Sequence, residues 1–434
     1  MNRNIVAAFA GVIFEGYNNI VYGFFAVILA PLFFPNTLCI SPITASFIVF
    51  AIGFVGRPFG GIIFGYIGDR FGRKLALTLS SFLATIPTFI IGILPTYDSI
   101  GFFSPLLLIV CRLLQGMAIG ADYTGALIYV SEQLGVKNRS FITSILVSLG
   151  FFGAALGIAI SCFLSSAFMP EESWRLSFIL AAVAGVFVCY LRVKMEESPF
   201  YQQIKTEEKL EKNPLISSLK RDKKQLFASC ILGGANLVPV YLATVYLNSL
   251  FKELLGLSNN AILLDNFLVF LGGGILILSS SRLISKYGEV KIMKMCMYAF
   301  ILFSIPFFVY VFKNLSLTSL ILLQVFLISG DALQIVALAN FLPKLFPSSR
   351  RYSALSTSYS LGQAILGGTT PLIASFLTTI TGDFCSASYF LVGASVLYLV
   401  AISMPIRTVP VIGEKDVVDS FEESHYAIPT HEIL

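Results

Sequence analysis

The chain has 434 residues, of which 56% are hydrophobic and only 12% are charged, and its 34 glycines raise the apolar share further. Soluble domains are about 45–50% apolar and about 25% charged. This chain therefore lacks the charged residues that cover the surface of a soluble protein of its size. The composition argues against a soluble enzyme, a nucleic-acid-binding protein and a disordered chain. The net charge of +5 identifies no partner until the positions of the basic residues are considered.

Twelve apolar runs follow one another along the chain. A helix needs about 20 apolar residues to cross a hydrocarbon core about 30 Å thick, and each run approaches or exceeds that length. The sequence therefore predicts an all-α membrane protein with twelve transmembrane helices. The runs are 5–33, 43–66, 75–95, 105–130, 140–166, 175–192, 225–250, 262–283, 295–312, 316–342, 353–380 and 385–405.

Basic residues in the connecting segments predict the orientation. Cytoplasmic loops of membrane proteins carry an excess of Lys and Arg. With the N-terminus inside, the outer segments hold only Arg175, Lys252 and Lys313, while Arg57 and Arg112 lie within runs. The remaining basic residues, including those from 192 to 224, fall on the inner side. This asymmetry predicts that both termini are cytoplasmic.

A charged segment divides the twelve runs into two sets of six. Duplicated transporter folds of this kind place their solute site between the halves, near the middle of the membrane. We predict four parts: an N-terminal half (1–192), a cytoplasmic central loop (193–224), a C-terminal half (225–405) and a cytoplasmic tail (406–434).

The loop between the second and third runs has the sequence GYIGDRFGRK, from residue 65 to residue 74. Its glycines permit a tight turn and close helix approach, and its charges lie just beyond the apolar run. This loop resembles the signature loop of the major facilitator superfamily. In that family the loop is a conformational latch, which implies a gating role for Gly65, Asp69, Arg70, Gly72 and Arg73.

A second motif strengthens the resemblance. The fourth run contains RLLQGMAIG from residue 112 to residue 120, which is similar to the superfamily pattern RxxQGxxxG. Five further segments resemble the metabolite:proton symporter branch of the superfamily. The resemblance implies import of a small zwitterionic solute of the proline or betaine type, with protons, across a bacterial inner membrane. The five segments are 21–24, 57–61, 120–126, 196–199 and 351–355.

Acidic residues within the runs are the candidates for proton coupling, because an ionisable group inside a membrane is costly and marks a pathway by default. Glu15 lies about 15 Å along its helix, near the middle of the membrane. Asp122 and Asp331 are the other candidates. The alternatives are an ion pair of Glu15 with Arg57 or Arg112, a cytoplasmic gate for Asp122, and a private structural pair for Asp331.

The solute cavity is predicted from groups that could bind a zwitterion. A carboxylate needs a cation to replace its hydration shell, and the predicted intramembrane cations are two arginines. A quaternary ammonium group binds aromatic faces, which tyrosines of the first and seventh runs could supply, although packing is the alternative for each. One asparagine stands where the branch commonly has an acid. The predicted cavity residues are Tyr17, Asn18, Tyr22, Arg57, Arg112, Tyr241 and Tyr246.

The predicted function is proton-coupled symport of a zwitterionic solute. The alternatives are an organic-acid (mono-, di- or tricarboxylate) proton symporter and an uncoupled exchanger or exporter. No Ser/His/Asp set, metal-ligand cluster or phosphate-binding loop is evident in the sequence, so we expect no enzyme activity, no metal and no cofactor beyond the proton gradient. The expected partners are the solute, protons and membrane lipid, with no nucleic acid, and we expect a monomer.

Overall fold

The computed structural model describes residues 3–34, 42–133, 139–166 and 168–409, so most of the predicted tail, 410–434, lies outside the described residues. Within those ranges the regular structure is helical, and twelve helices are long and apolar enough to cross a membrane. Each predicted run falls on one of them, which confirms the twelve-helix prediction. They are α1 (Arg3–Phe33), α2 (Pro42–Arg70), α3 (Arg73–Ile93), α4 (Phe103–Gln133), α5 (Arg139–Leu164), α6 (Trp174–Val193), α7 (Lys223–Leu255), α8 (Asn259–Tyr287), α9 (Glu289–Lys313), α10 (Leu317–Phe341), α11 (Arg351–Thr381) and α12 (Ser386–Ser403).

Local sequence signals end one helix and begin the next between α7 and α8. Gly256 ends α7 in the left-handed conformation, with φ of 63°, which glycine adopts without steric cost. Two residues later the Ser258 hydroxyl accepts a hydrogen bond from the Ala261 N–H at 3.3 Å and caps the start of α8. A glycine and a serine two residues later therefore define the short turn between α7 and α8.

Two helices are interrupted by a single π turn, Leu242–Tyr246 in α7 and Gln363–Gly367 in α11. Such turns redirect side chains and are frequent at functional sites. The two helices also touch through their backbones, since a Cβ at Gly362 would lie 1.8 Å from the Cys230 carbonyl oxygen. The π turns therefore lie on two helices whose relative position is tightly fixed.

The first six spans pack mainly against one another, and so do the last six. The main contacts between the two sets are α2 with α11 and α5 with α8. In a duplicated fold α8 corresponds to α2, and α11 corresponds to α5. Exchanging the two sets therefore converts the α2–α11 pair into the α8–α5 pair, as a duplicated fold requires. At Gly65 the α2–α11 contact is so close that a Cβ would lie 2.7 Å from the Ser353 Cα. The predicted division into halves agrees with this packing but remains a prediction.

The central segment contains two short helices, Pro199–Thr206 and Pro214–Arg221, rather than an extended loop. It is fastened to the start of α11 by ion pairs from Arg350 to Glu211 at 2.7 Å and to Asp222 at 2.5 Å. The segment is therefore a folded connection between the two sets of spans.

Candidate functional site

Arg57 of α2 is a buried cation that the structure surrounds with neutral partners. Its side chain is 4% exposed. Its Nη1 donates to Gln363 Oε1 at 3.0 Å and its Nη2 donates to Asn19 Oδ1 at 3.2 Å, while the guanidinium lies 4.1 Å from the centroid of the Phe54 ring. Among the described residues no carboxylate forms an ion pair with Arg57, and its Nε has no hydrogen-bond partner. The guanidinium is therefore available to an anionic ligand.

Aromatic rings from both sets of spans surround this arginine. Phe54 meets Tyr241 of α7 edge to face, with centroids 5.8 Å apart. Tyr123 of α4 stacks on Tyr359 of α11 at 6.0 Å, and both Tyr241 and Tyr359 are within electrostatic range of Arg57. Tyr241 is therefore one predicted cavity residue that joins this group. Together the rings offer faces that could bind a ligand cation.

Glu15 of α1 lies beside this cluster and forms no ion pair among the described residues. Its Oε2 has no hydrogen-bond partner in the part of the chain that the structure describes, and it does not pair with Arg57 or Arg112, the pairing considered from the sequence. It is within electrostatic range of Asp122, Arg57 and Arg192. Glu15 and Asp122 line one cavity of about 10 Å³, room for about one water molecule. The structure thus brings two of the predicted proton-coupling acids together.

Asp122 forms a buried ion pair with Arg192. Both terminal nitrogens of the arginine donate to the carboxylate, Nη2 to Oδ2 at 2.8 Å, and Ser80 Oγ donates to Oδ1 at 2.5 Å. Arg192 is 0% exposed. Two expectations are therefore wrong: that residue 192 belongs with the loop charges, and that Arg57 and Arg112 are the only intramembrane cations. Side chains lean toward a helix's N-terminus, so the last turn of α6 carries its guanidinium into the bundle.

A separate polar network contains three of the predicted cavity residues. Arg112 Nη1 donates to Gln115 Oε1 at 2.9 Å, Gln115 Nε2 donates to Thr88 Oγ1 at 2.7 Å, and Thr88 donates to Asn18 Oδ1 at 3.1 Å. The Arg112 guanidinium lies 4.1 Å from the centroid of the Tyr22 ring. These contacts join α1, α3 and α4.

The two remaining predicted cavity tyrosines are fixed in packing positions. Tyr17 donates to the Ser177 carbonyl oxygen at 3.1 Å, within the first six spans. The Tyr246 hydroxyl lies 2.7 Å from Thr378 Oγ1 and 3.3 Å from the Phe384 carbonyl oxygen. Neither is part of the group around Arg57, and both match the packing alternative.

The model of the major facilitator superfamily matches residues 9–365. The chain belongs to the major facilitator superfamily. It is 30% identical over 416 residues to the proline/betaine transporter of Escherichia coli K12, covering 92% of this chain and 82% of that protein. A Staphylococcus aureus (strain COL) protein provisionally given the same name is 32% identical over 368 residues, covering 82% and 78%.

A solved structure shows the same superfamily fold. The E. coli proton:xylose symporter XylE superposes with a TM-score of 0.78 at 16% identity, covering 96% of this chain and 98% of XylE. The resemblance stated from the motifs is thereby confirmed. The chain is a multi-pass membrane protein of a transporter family.

The superfamily's signature loop connects the two sets of spans in this structure. Asp69 forms an ion pair with Arg73 at 3.0 Å and accepts hydrogen bonds from the backbone N–H groups of Tyr352 at 3.1 Å and Ser353 at 2.8 Å. An acid at the first turn of a helix satisfies its free N–H groups and its dipole. Asp69 of α2 therefore caps α11. Arg73 Nη2 also donates to the Ser348 carbonyl oxygen at 2.6 Å.

Glu132, which the sequence interpretation did not single out, completes this network. It lies 3.4 Å from Arg73 Nε and 3.1 Å from Arg351 Nη1, and it accepts from Ser198 Oγ at 2.5 Å. Glu132, Arg73 and Arg351 are buried. Its position at the end of an apolar run made Glu132 resemble a loop charge, whereas Arg351 stood in a recognised family segment without an assigned role.

Gly72 joins α2 to α3 with φ of +120° and leaves space for Glu197. Glu197 Oε1 accepts from the Arg73 N–H at 2.9 Å and so caps α3 from the central segment. Burial raises the pKa of Glu197, and backbone hydrogen bonds and the charge of Arg73 oppose that rise. Arg70 takes part through its carbonyl oxygen, which accepts from Tyr201 Oη at 2.9 Å.

Replacing Gly72 with alanine is expected to lower the free energy of unfolding by about 1–3 kcal/mol, because the backbone conformation is strained for alanine. The added Cβ would also lie 2.2 Å from Glu197 Oε2. Gly101→Ala is the matched control, since Gly101 has φ of +58° and no atom within 4 Å of the added Cβ. Thermal unfolding in detergent measures the loss of stability in each of the two variants. Equal losses would show that the Glu197 contact contributes nothing.

Proposed function

We propose that this protein is a proton-coupled symporter that imports a small zwitterionic solute of the proline or betaine type across a bacterial inner membrane. The names of its relatives support that class of solute. The observation that carries the proposal is Arg57, a buried guanidinium without an ion-pair partner among the described residues, placed where both sets of spans meet.

The solute would bind by its two opposite charges. Its carboxylate replaces water at Arg57, whose planar fork matches two carboxylate oxygens. Its ammonium group lies against the rings of Tyr241, Tyr123 and Tyr359, which belong to α7, α4 and α11. Because the ligand contacts both sets of spans, its binding energy depends on their relative position, as alternating access requires.

The coupling proton would be carried by Glu15. While Glu15 is ionised, its negative charge weakens the attraction of Arg57 for a carboxylate, because the two groups interact electrostatically. A proton on Glu15 removes that competition and strengthens solute binding. By linkage, the bound solute strengthens proton binding to the same extent. The Asp122–Arg192 pair fixes the charges next to Glu15.

Alternating access would open and close the contact that Asp69 makes with α11. The distribution of basic residues supports a cytoplasmic position for that end and for both termini. In this conformation the Asp69 cap and the Glu132–Arg351 pair hold that end of the two sets of spans together. Release of the solute to the cytoplasm then requires both contacts to break. We expect a monomer whose partners are solute, protons and membrane lipid, with no nucleic acid, metal or cofactor.

A dianionic or trianionic organic acid is the second candidate solute. The observation that favours it is the closeness of two buried guanidiniums, since Arg112 is within electrostatic range of Arg57. Two cations could bind two carboxylates. Competition of citrate and succinate against betaine for the purified protein distinguishes the two classes.

Uptake by proteoliposomes tests the coupling. An inward proton gradient is expected to drive accumulation of betaine or proline by the wild type. Glu15→Gln is expected to remove the accumulation that the Glu15 proton drives while preserving solute counterflow, because the neutral amide still permits solute binding but carries no proton. Glu253→Gln, at an exposed acid on α7, is the control and should behave as the wild type. Uptake that ignores the gradient would instead identify an uncoupled exchanger or exporter.

A further inference from the structure

Asp331 of α10 is a buried acid with no ion-pair partner among the described residues. It is 0% exposed, and neither carboxylate oxygen has a hydrogen-bond partner among the described residues. One turn further along α10, Gln334 Nε2 donates to Asn236 Oδ1 at 3.0 Å, which leaves Gln334 Oε1 without a partner as well. Residues three apart on a helix are neighbours on its surface. Asn236 Nδ2 is also without a partner, and Gln334 lies beside Asp331, so amide groups rather than a cation adjoin the acid among the described residues.

The groups that face Asp331 bring no positive charge to it. Among the described residues, the titratable side chains within electrostatic range of Asp331 come from α4, α9, α11 and α12, and they are hydroxyls and one thiol. Among the described residues no Lys or Arg forms an ion pair with Asp331. The acid on the neighbouring α8, Asp265, already accepts from Gln324 Nε2 at 2.8 Å, two turns away along α10. These electrostatic neighbours are Tyr123, Cys296, Tyr359 and Tyr398.

We propose that Asp331 holds a proton in this conformation and is a second coupling site, on α10, in addition to Glu15 on α1. An ionised carboxylate buried without a partner is far costlier than a neutral acid. The protonated acid can donate its O–H to Gln334 Oε1, which has no hydrogen-bond partner among the described residues. This inference rests on the proposed symport function and adds a proton to its stoichiometry.

The solute site is connected to Asp331 through Tyr359. This tyrosine is within electrostatic range of Asp331, lies beside Gln363 and stacks on Tyr123. Gln363 in turn accepts a hydrogen bond from Arg57. When the bundle opens toward the cytoplasm and water reaches α10, the O–H bond of the acid breaks and the proton passes to water. The negative charge of the carboxylate left behind then interacts electrostatically with the Tyr359 ring, which lines the proposed solute site.

The proton stoichiometry tests the proposal. In proteoliposomes with the membrane potential clamped at zero, a pH difference of one unit concentrates a zwitterion about tenfold for one coupled proton and about hundredfold for two. The wild type is expected to reach about hundredfold and Asp331→Asn about tenfold. Asp265→Asn is the matched control and should keep the wild-type value.

A second measurement separates protonation from a structural role. The infrared spectrum of the wild type should contain the carbonyl stretch of the protonated Asp331 acid, and the band should lose that contribution in Asp331→Asn. The variant should melt no lower than the wild type, because its amide donates to the same Gln334 oxygen. Tenfold accumulation by both proteins, or an unchanged infrared band, overturns the second site and leaves the proposed function standing. No gradient-driven accumulation by the wild type overturns the proposed function, and the second coupling site with it.

Discussion

Replacing Arg192 with methionine is expected to abolish solute accumulation and to lower the free energy of unfolding by about 3–5 kcal/mol. The substitution leaves the Asp122 carboxylate buried with Ser80 as its remaining side-chain hydrogen-bond partner. A Cβ on Gly11 would lie 1.8 Å from Arg192 Nη2, so α1 is shaped around this guanidinium. The loss of the charge therefore disturbs α1, which carries Glu15, as well as α4.

The double variant Arg192→Met with Asp122→Asn separates charge from packing. Removing both charges of a buried pair is often neutral or stabilising, whereas removing one partner is strongly destabilising. We expect the double variant to recover most of the lost stability but not gradient-driven uptake. Thermal unfolding and radiolabelled betaine uptake measure the two properties. A single variant as stable as the wild type would show that the ion pair contributes nothing to the fold.

Arg192 also shows why the sequence predicted the helices but not all of their charges. Apolar runs of about 20 residues identify the membrane-spanning helices, but they do not indicate how each helix is rotated about its own axis. Arg192 and Lys194 are two residues apart at the end of one run, yet the first is fully buried and the second is exposed. Residues that far apart differ by about 200° around a helix. In a membrane the lipid face and the interior are both apolar, so hydrophobic periodicity cannot tell which residue points inward.

The site was predictable only where a residue type was rare. Glu15 and Arg57 stood out because charges within spans are uncommon, and both lie at the candidate site. Asn19 and Gln363, which bind Arg57, belong to types that occur throughout the spans. The π turn that carries Gln363 has no sequence signal of its own, because it depends on how α11 packs against its neighbours. Contacts between distant helices therefore had to come from the structure.

Replacing Arg57 with glutamine is expected to weaken betaine binding by about one and a half to three and a half orders of magnitude, since losing one partner of a buried charge pair costs about 2–5 kcal/mol. The glutamine can still hydrogen-bond but brings no charge to the carboxylate. Arg57→Lys should bind betaine with an affinity between those of the wild type and Arg57→Gln, because lysine keeps the charge but lacks the planar fork. Isothermal titration of the purified protein measures the affinity.

Choline makes the test specific to the carboxylate, because it has the quaternary ammonium group of betaine without the acid. The wild type should bind betaine far more tightly than choline, and Arg57→Gln should remove most of that difference by weakening betaine alone. Arg175→Gln is the matched control, since Arg175 lies away from the site and donates hydrogen bonds to the Gly92 and Leu94 carbonyl oxygens. If Arg57→Gln weakens betaine and choline equally, Arg57 shapes the cavity without binding the carboxylate. The anionic end of the solute would then have to be sought at Arg112.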